Sequence, residues 1–467
     1  MEKKQKNLWK RVIFDEYQLH VTISTINSTT ESDDADERVV YLEDLEKRKQ
    51  VYGICGECNE PGTGEYWCQP CNAKRFKDNF KNWTSGNKNI DEFIQQSQLN
   101  ATHYYKYFEW IPYERFQNIT YVAKGGFSKI YSAEWPEGHI EYWDIGNQQW
   151  YRKVNDKYVL KRLIDSSDIC STILNVVKVH LQIYTYNIVQ CYGITLDPNT
   201  KDYIMVLHYC SEGNWRNYIN SSKNYIDCKL RIDMFMQIAR GLLDIHNAGL
   251  IHKDFHSGNI LISYRGSFIS DLGMCQPAIK QSVKEEGIYG VLPYTAPEVL
   301  HGYQYTKAAD IYSFGIIMNE FLSEEIPFND ISHNESLAIK IYKGLRPTIS
   351  KDVPKLLADL ISKCWDTKIE NRPTANELYQ ILEKCNNEIW NVEFSKYIHD
   401  DKNSQNSEIY SQIKEFDKIG EIKFNNRSNE DKSKITQTHP QAIYTSRLLN
   451  PYTEGLAIDF TELDDEK

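Results

Sequence analysis

The residues best suited to chemistry lie in one stretch, Ile251-His252-Lys253-Asp254-Phe255-His256-Ser257-Gly258-Asn259-Ile260-Leu261. Its polar loop offers a carboxylate at Asp254 and a carboxamide at Asn259, then closes on an apolar, strand-like run. A carboxylate there can receive and orient an attacking hydroxyl, and the neutral oxygen of Asn259 can ligate a hard metal ion. Phosphoryl transfer requires both. Taken alone, the string also fits a polar turn between a helix and a strand.

Further pieces follow in order. Asp271-Leu272-Gly273 adds a second carboxylate, one that could hold a metal ion, Ala296-Pro297-Glu298 closes the segment after it, and Asp310-Ile311-Tyr312-Ser313-Phe314-Gly315 opens an apolar helix. Upstream, Lys161 ends the strand-like run Lys157-Tyr158-Val159-Leu160-Lys161. With these five motifs in sequence, residues 112–386 resemble a eukaryotic protein kinase domain of the tyrosine-kinase-like branch. The resemblance implies an α+β, two-lobed fold with a small β-rich lobe and a large helical lobe. It also implies transfer of the ATP γ-phosphoryl group to protein hydroxyls, with serine and threonine favoured over tyrosine. Lys161 would grip the α/β-phosphates, Asp271 would hold magnesium, Asn259 a second metal ion, and Asp254 would receive the hydroxyl. Ala123, Gly125, Gly126, Ser128 and Ile130 correspond to the glycine-rich loop over the phosphates. Val159 and the hinge residues His208 and Cys210 complete the expected nucleotide site.

Departures from the pattern carry information. Ala123 and Ser128 replace two glycines, although Gly125 and Gly126 still let backbone amides approach a phosphate. The glutamate that pairs with the lysine should fall about fifteen residues after Lys161, and Val176 stands there. No Asp or Glu occurs from Ile169 to Asn187, and Asp168 lies two helical turns from Val176, roughly 12 Å along the axis. Lys253 replaces the arginine that grips an activation-loop phosphate, keeping charge but not the planar fork. His256 and Val291 stand where serine/threonine kinases place a lysine and a threonine. Ser282, Tyr289 and Tyr294 offer hydroxyls in the activation segment. Glu298 with Arg372 resembles a buried structural ion pair, Asp310 an anchor of the catalytic-loop backbone, and Thr374 with Glu377 a capping box.

A separate constellation lies nearer the start: Cys55-Gly56-Glu57-Cys58, nine residues, then Cys68-Gln69-Pro70-Cys71. Two C-x-x-C knuckles can present four thiolates to one tetrahedral zinc ion, and Pro61-Gly62-Thr63-Gly64 supplies the turn between them. The arrangement resembles a zinc-ribbon knuckle, a stabilising site rather than a reaction centre. Four reduced thiols in a loop, or a C-x-x-C redox pair, are the competing readings.

The elements positioning these residues divide the chain into a polar segment at 1–49, a zinc-knuckle module at 50–75, a linker at 76–111, the kinase domain at 112–386 and a largely disordered tail at 387–467. A short amphipathic helix is expected near Val40–Val51, an extended hairpin at 135–156, a long helix at 230–248 with Met234, Ile238, Leu242 and Ile245 inward, and a further amphipathic piece at 409–419. With 41% hydrophobic and 13% aromatic residues, most of the 467 residues should fold. The net charge of −11 argues against a general nucleic-acid or anionic-membrane binder, and no apolar run reaches a membrane span. The opening Met1-Glu2-Lys3-Lys4 has no apolar stretch behind it, and eleven scattered cysteines fit reduced thiols, so a cytoplasmic signalling enzyme with protein substrates is expected. The rival readings are a pseudokinase-type scaffold, supported by Val176 and the altered glycine loop, and a zinc-directed adaptor.

Overall fold

A computed structural model describes residues 8–13, 16–23, 38–126, 128–163, 169–184, 186–278, 287–397, 407–426 and 438–449, giving only the backbone at 169–172 and 394–397. The chain divides into two compact units, the first holding residues 1–185 and 189–209 and the second residues 186–188 and 210–467.

In the first unit, β1 (Leu8–Trp9) pairs antiparallel with β2 (Gly53–Ile54), directly after helix α1 (Leu45–Tyr52). Helices α2 (Gln69–Asn79) and α3 (Lys88–Leu99) follow. Next come β3 (Glu109–Trp110), β4 (Gln117–Lys124), β5 (Ser128–Trp135), the hairpin β6 (Ile140–Asp144) and β7 (Gln149–Arg152), and β8 (Asp156–Leu163). Helix α4 (Ile169–Gln182) precedes β9 (Cys191–Leu196) and β10 (Tyr203–His208). Six of these strands form one sheet in the order β3-β9-β10-β8-β5-β4. Alternation along β8 sorts its residues between two cores. Tyr158 and Leu160 face a cluster with Phe116, Trp135, Tyr192 and Val206. Leu163 packs on the opposite cluster, where Ile173, Val176 and Val177 of α4 meet Ile90 and Ile94 of α3, Phe108 and Met205.

Residues 76–111, expected as a linker, therefore form part of the folded core. The i,i+4 pair Ile90 and Ile94 is fully buried, and a polar composition hides so narrow a stripe. The same region grips the end of α4: Lys106 Nζ donates to Leu181 O at 2.9 Å and to Ile183 O at 2.5 Å. A cation on the last carbonyls of a helix satisfies orphan acceptors and complements the macrodipole. Part of the segment expected to be merely polar at 1–49 is also built in: Leu19, Val21 and Val40 are buried, and Leu19 N donates to Tyr184 Oη at 2.6 Å. The hairpin expected at 135–156 is present and folds into the cysteine region. Trp150 stacks on Phe76 at 5.0 Å, and Trp67 stacks on Tyr107 at 5.7 Å. Asp168, considered above as a charge partner, lies outside the described residues.

The second unit begins its regular structure with β11 (Gly213–Asn214) and α5 (Trp215–Ser221) and centres on α6 (Cys228–Asn247), whose Met234, Ile238, Leu242 and Ile245 are buried as the periodicity requires. Glu298 and Arg372 form the expected buried bidentate pair at 2.7 and 2.8 Å. The capping box is formed too, Glu377 N donating to Thr374 Oγ1 at 3.2 Å and Thr374 N to Glu377 Oε2 at 2.7 Å. The last expected helix runs on through Cys385 to Tyr397. The tail at 387–467 is accordingly not disordered throughout. A helix at Glu408–Asn425 buries Ile413 and Phe416, and its Asp417 accepts from Cys228 N, at the start of α6, at 2.7 Å. Residues 438–449 also pack, ending in β17 (Arg447–Leu449). The remainder of the tail lies outside the described residues. Among the described residues, no helix is long and apolar enough to cross a membrane.

Two buried histidines make the first unit acid-sensitive. Burial, aided by the Lys106 charge, pushes the His20 imidazole down to about 3 despite its contact with Val21 O. Burial likewise holds His103 well below its usual value. Both are neutral when folded and return to an ordinary value near 6.5 on unfolding, so the unfolded chain binds more protons below that pH. Stability should be complete above about pH 6.5 and decline as the pH falls, by about 1.4 kcal/mol per pH unit for each histidine. Thermal unfolding across that range measures the slope. A His103→Phe chain should lose about one histidine's share of it, and an unchanged slope would refute the assignment.

Candidate active site

The loop carrying Asp254 hangs on one carboxylate. Asp310 is 2% exposed. Its Oδ2 accepts from His252 N at 2.8 Å and lies 2.9 Å from His246 Nε2, and its Oδ1 accepts from Lys253 N at 3.1 Å. Lys253 is thereby held at φ +68°, a conformation costly for a residue with a Cβ and persistent only where its surroundings impose it. Its Nζ donates to Gln276 Oε1 at 2.8 Å. The flanking strands β12 (Leu250–Ile251) and β15 (Gln276–Pro277) pair with each other.

Asp254 follows, buried at 6% exposure. Asn259 Nδ2 donates to the Asp254 carbonyl at 2.9 Å and to Oδ2 at 3.3 Å, which leaves the carboxamide oxygen of Asn259 as the atom a cation could use. Among the described residues, Asp254 Oδ1 is buried with no hydrogen-bond partner, an arrangement suited to an incoming ligand. Burial pushes the Asp254 carboxyl up, but the His256 imidazole at 3.7 Å and the Ser446 hydroxyl outweigh it and hold the group at about 2. A carboxylate so placed stays ionised and can accept a hydrogen bond from a hydroxyl. One hydroxyl already does so, Ser446 Oγ donating to Asp254 Oδ2 at 2.6 Å.

Asp271 is brought beside Asn259 by the hairpin of β13 (Ile260–Ser263) and β14 (Gly266–Ile269). Ser270 N and Oγ both donate to Asn259 O, at 2.8 and 2.9 Å, and Asp271 is the next residue. Asp271 adopts the left-handed region at φ 59° and accepts from Gly273 N at 3.4 Å. Two oxygen-bearing side chains therefore project from adjoining turns, a donor set suited to magnesium. Of the activation-segment hydroxyls, Ser282 lies outside the described residues. Tyr294, another of those hydroxyls, is buried and committed to Glu320 at 2.6 Å and Arg216 at 3.0 Å, so it is not presented for phosphorylation.

The first unit gathers the remaining candidates except Cys210, which belongs to the second. Sheet register places Ala123 opposite Ile130, Ile130 opposite Lys161, and Lys161 opposite Met205. Gly125 N donates to Ser128 O at 2.8 Å, closing the turn that contains Gly125 and Gly126. Val159 is paired with Leu207, and His208 ends β10 with its ring 3.3 Å from Tyr192 Oη. Burial pushes the Cys210 thiol up to about 12, so any part it plays is through its backbone. Lys161 is 7% exposed, and Val176 is packed at 8% within the apolar cluster on that side of the sheet. The described part of α4 thus turns hydrocarbon, not a carboxylate, toward the region of the lysine.

The sulfurs of Cys55, Cys58, Cys68 and Cys71 all lie within 4.8 Å of one another. Cys58–Cys68 is 3.6 Å and Cys55–Cys71 is 4.0 Å. Zinc–sulfur bonds of about 2.3 Å in a tetrahedron put sulfurs about 3.8 Å apart, so the cluster fits such an ion. Hydrogen bonding from Cys68 lowers Cys55 to about 5, whereas Cys68 is pushed up by the same contact and Cys71 is pushed up by burial to about 12. One thiolate discourages the next, and a divalent cation would remove that conflict.

A model of the protein tyrosine and serine/threonine kinase family matches residues 116–382. The chain is similar to the serine/threonine/tyrosine-protein kinase HT1 of Arabidopsis thaliana, 29% identical over 42% of this chain and 50% of the relative. It is similar also to the RGS domain-containing serine/threonine-protein kinase A of Dictyostelium discoideum, 26% identical over 52% of this chain and 23% of the relative. The probable serine/threonine-protein kinase roco6 of the same organism is 26% identical over 63% of this chain and 14% of the relative. The chain spans half or less of the length of these curated relatives.

Proposed function

Because the chain belongs to the protein tyrosine and serine/threonine kinase family, we propose that it transfers the ATP γ-phosphoryl group to protein hydroxyls, serine and threonine in preference to tyrosine. The observation that carries this reading is the 2.6 Å hydrogen bond from a serine hydroxyl, Ser446 Oγ, to Asp254. In this reading Asp254 orients the acceptor hydroxyl and receives its proton. His256 stands beside the carboxylate, its Nε2 3.7 Å from Asp254 Oδ2, where a lysine is usual. Lys161 holds the α/β-phosphates, the turn at Gly125 and Gly126 offers backbone amides, Ile130 and Val159 line the base, and the backbone at His208 and Cys210 receives it. Asn259 and Asp271 hold magnesium, which when bound neutralises charge on the phosphates.

Purified full chain with ATP and magnesium, followed by nucleotide binding and phosphate incorporation into an added protein, tests the proposal. Asp254→Asn should lower transfer by about 10²–10⁴ while leaving ATP binding nearly intact, since it touches the hydroxyl and not the nucleotide. Asp271→Asn should weaken magnesium-dependent nucleotide binding as well. Nucleotide binding with no transfer by the unaltered chain would instead support a scaffold, the reading favoured by the apolar surroundings of Val176.

No Asp or Glu lies on α4, so that helix does not supply the preorganised electrostatic contact that is usually worth roughly 10²–10³ in rate. Val176→Glu should therefore raise the transfer rate. Because the site is lined by Ile90, Ile94 and Phe108, it should also lower stability by about 1–3 kcal/mol. Rate and chemical unfolding are read on the same sample, and an unchanged rate rejects the assignment.

The four-cysteine cluster we read as a structural zinc site. Metal analysis of the full chain should find one zinc, and Cys55→Ser should release it and destabilise the first unit, whose core includes Trp67 and Phe76 from the same segment. A metal-free chain whose melting does not respond to a chelator would sink the idea.

A further inference from the structure

Residues 438–449 lie across the site around Asp254, turning at Pro440–Gln441, where Ala442 N donates to His439 O at 2.8 Å, and then running on to β17, held at many points. Downstream of Ser446, β17 pairs antiparallel with β16 (Ile288–Gly290) of the activation segment, in the register Gly290↔Arg447, Tyr289↔Leu448 and Ile288↔Leu449, and Leu449 is buried. Upstream, Tyr444 Oη donates to Pro327 O at 2.8 Å, and its ring lies under the Arg216 guanidinium at 4.5 Å. His333 Nε2 faces Phe328 O at 3.0 Å, which leaves Nδ1 to accept from Ile443 N at 3.0 Å. His333 N donates to Gln441 O at 3.1 Å, and Arg447 Nη2 donates to His333 O at 2.6 Å. Backbone pairing on one side and side-chain seats on the other are how an extended peptide is recognised by strand addition. The hydroxyl set at the centre of this arrangement is that of Ser446, bonded to Asp254 at 2.6 Å with His256 Nε2 at 3.4 Å. The neighbouring Thr445 is exposed.

We propose that this segment is the chain's own tethered substrate and that Ser446 is the acceptor of an intramolecular phosphoryl transfer. The inference rests on the kinase reading above. In the step, Ser446 Oγ forms a bond to the γ-phosphorus of ATP, and the bond from that phosphorus to the oxygen bridging it to the β-phosphate breaks. The bridging oxygen keeps the electron pair and leaves as part of ADP, and the Ser446 proton passes to Asp254 Oδ2. The product phosphoserine carries about −1.5 to −2 charges against the Asp254 carboxylate, so the modified segment is expelled and the site opens to other proteins. Unmodified, the segment keeps those proteins out.

The test uses the full chain, first treated with phosphatase, incubated with ATP and magnesium over a hundredfold range of protein concentration, with dephosphorylated casein as external acceptor. Mass spectrometry should place phosphate on Ser446 and not on Thr445 or Tyr444, with a first-order rate independent of protein concentration. Phosphate on casein but none on Ser446 overturns the inference and leaves the kinase reading intact. No phosphate on either overturns the kinase reading and the transfer with it. A rate that rises in proportion to protein concentration overturns the intramolecular assignment. Docking is read separately, without nucleotide, by hydrogen exchange at residues 447–449. These amides should be protected in the unaltered chain and exchange more than tenfold faster in Ser446→Asp. Fast exchange in the unaltered chain overturns the docked segment.

Discussion

Asp310 receives the two successive backbone amides of His252 and Lys253 and contacts His246, so one buried carboxylate decides the path of the loop before any reacting group is considered. The left-handed turn at Lys253 persists because Asp310 holds those two amides in place. Once that turn is made, Asp254 must point inward, Asn259 can reach back to it, and the carbonyl of Asn259 is free to bind Ser270 and so set Asp271. The chemistry is thus inherited from a hydrogen-bond geometry several residues away.

A second constraint governs the first unit. Helix α4 is held by the α3 stripe of Ile90 and Ile94 along its side and by Lys106 and Leu19 at its end. These contacts come from residues outside the matched kinase region. The described part of the helix is thus ordered by hydrocarbon packing and by hydrogen bonds at its end. A separate core joins Trp67, from the segment that carries the cysteines, to Phe76, Tyr107 and the hairpin residues Ile140 and Trp150.

The kinase fold could be read from the chain because its motif residues meet partners whose types are themselves distinctive: Glu298 with Arg372, Thr374 with Glu377, Asp310 with the loop it anchors. Each pairing needs particular atoms, so the residue type announces it. The folded part of 76–111 could not be read in this way. Its helix buries two isoleucines in a surface of Asn, Gln and Lys, and the stripe is narrower than the composition around it suggests. The packed tail escaped for the same reason at Ile413 and Phe416. Around Asp254, the spacing exposed Asn259 but not the company of His256 and Ser446. His256 was visible only as a departure from pattern. Ser446 carries no local signal, because its meaning comes from a carboxylate 192 residues earlier in the chain.

A covalent tether changes the arithmetic of competition at that carboxylate. A segment joined to the body that binds it meets its site at an effective concentration on the order of millimolar. An outside protein present at about a micromolar, with the same intrinsic affinity, is outnumbered roughly a thousandfold. Partner choice then depends less on how well an outside sequence fits the groove than on whether the tether is still seated when it arrives. A change in the length of chain between Asn426 and Thr438 would shift that competition without altering a single contact of the seated segment.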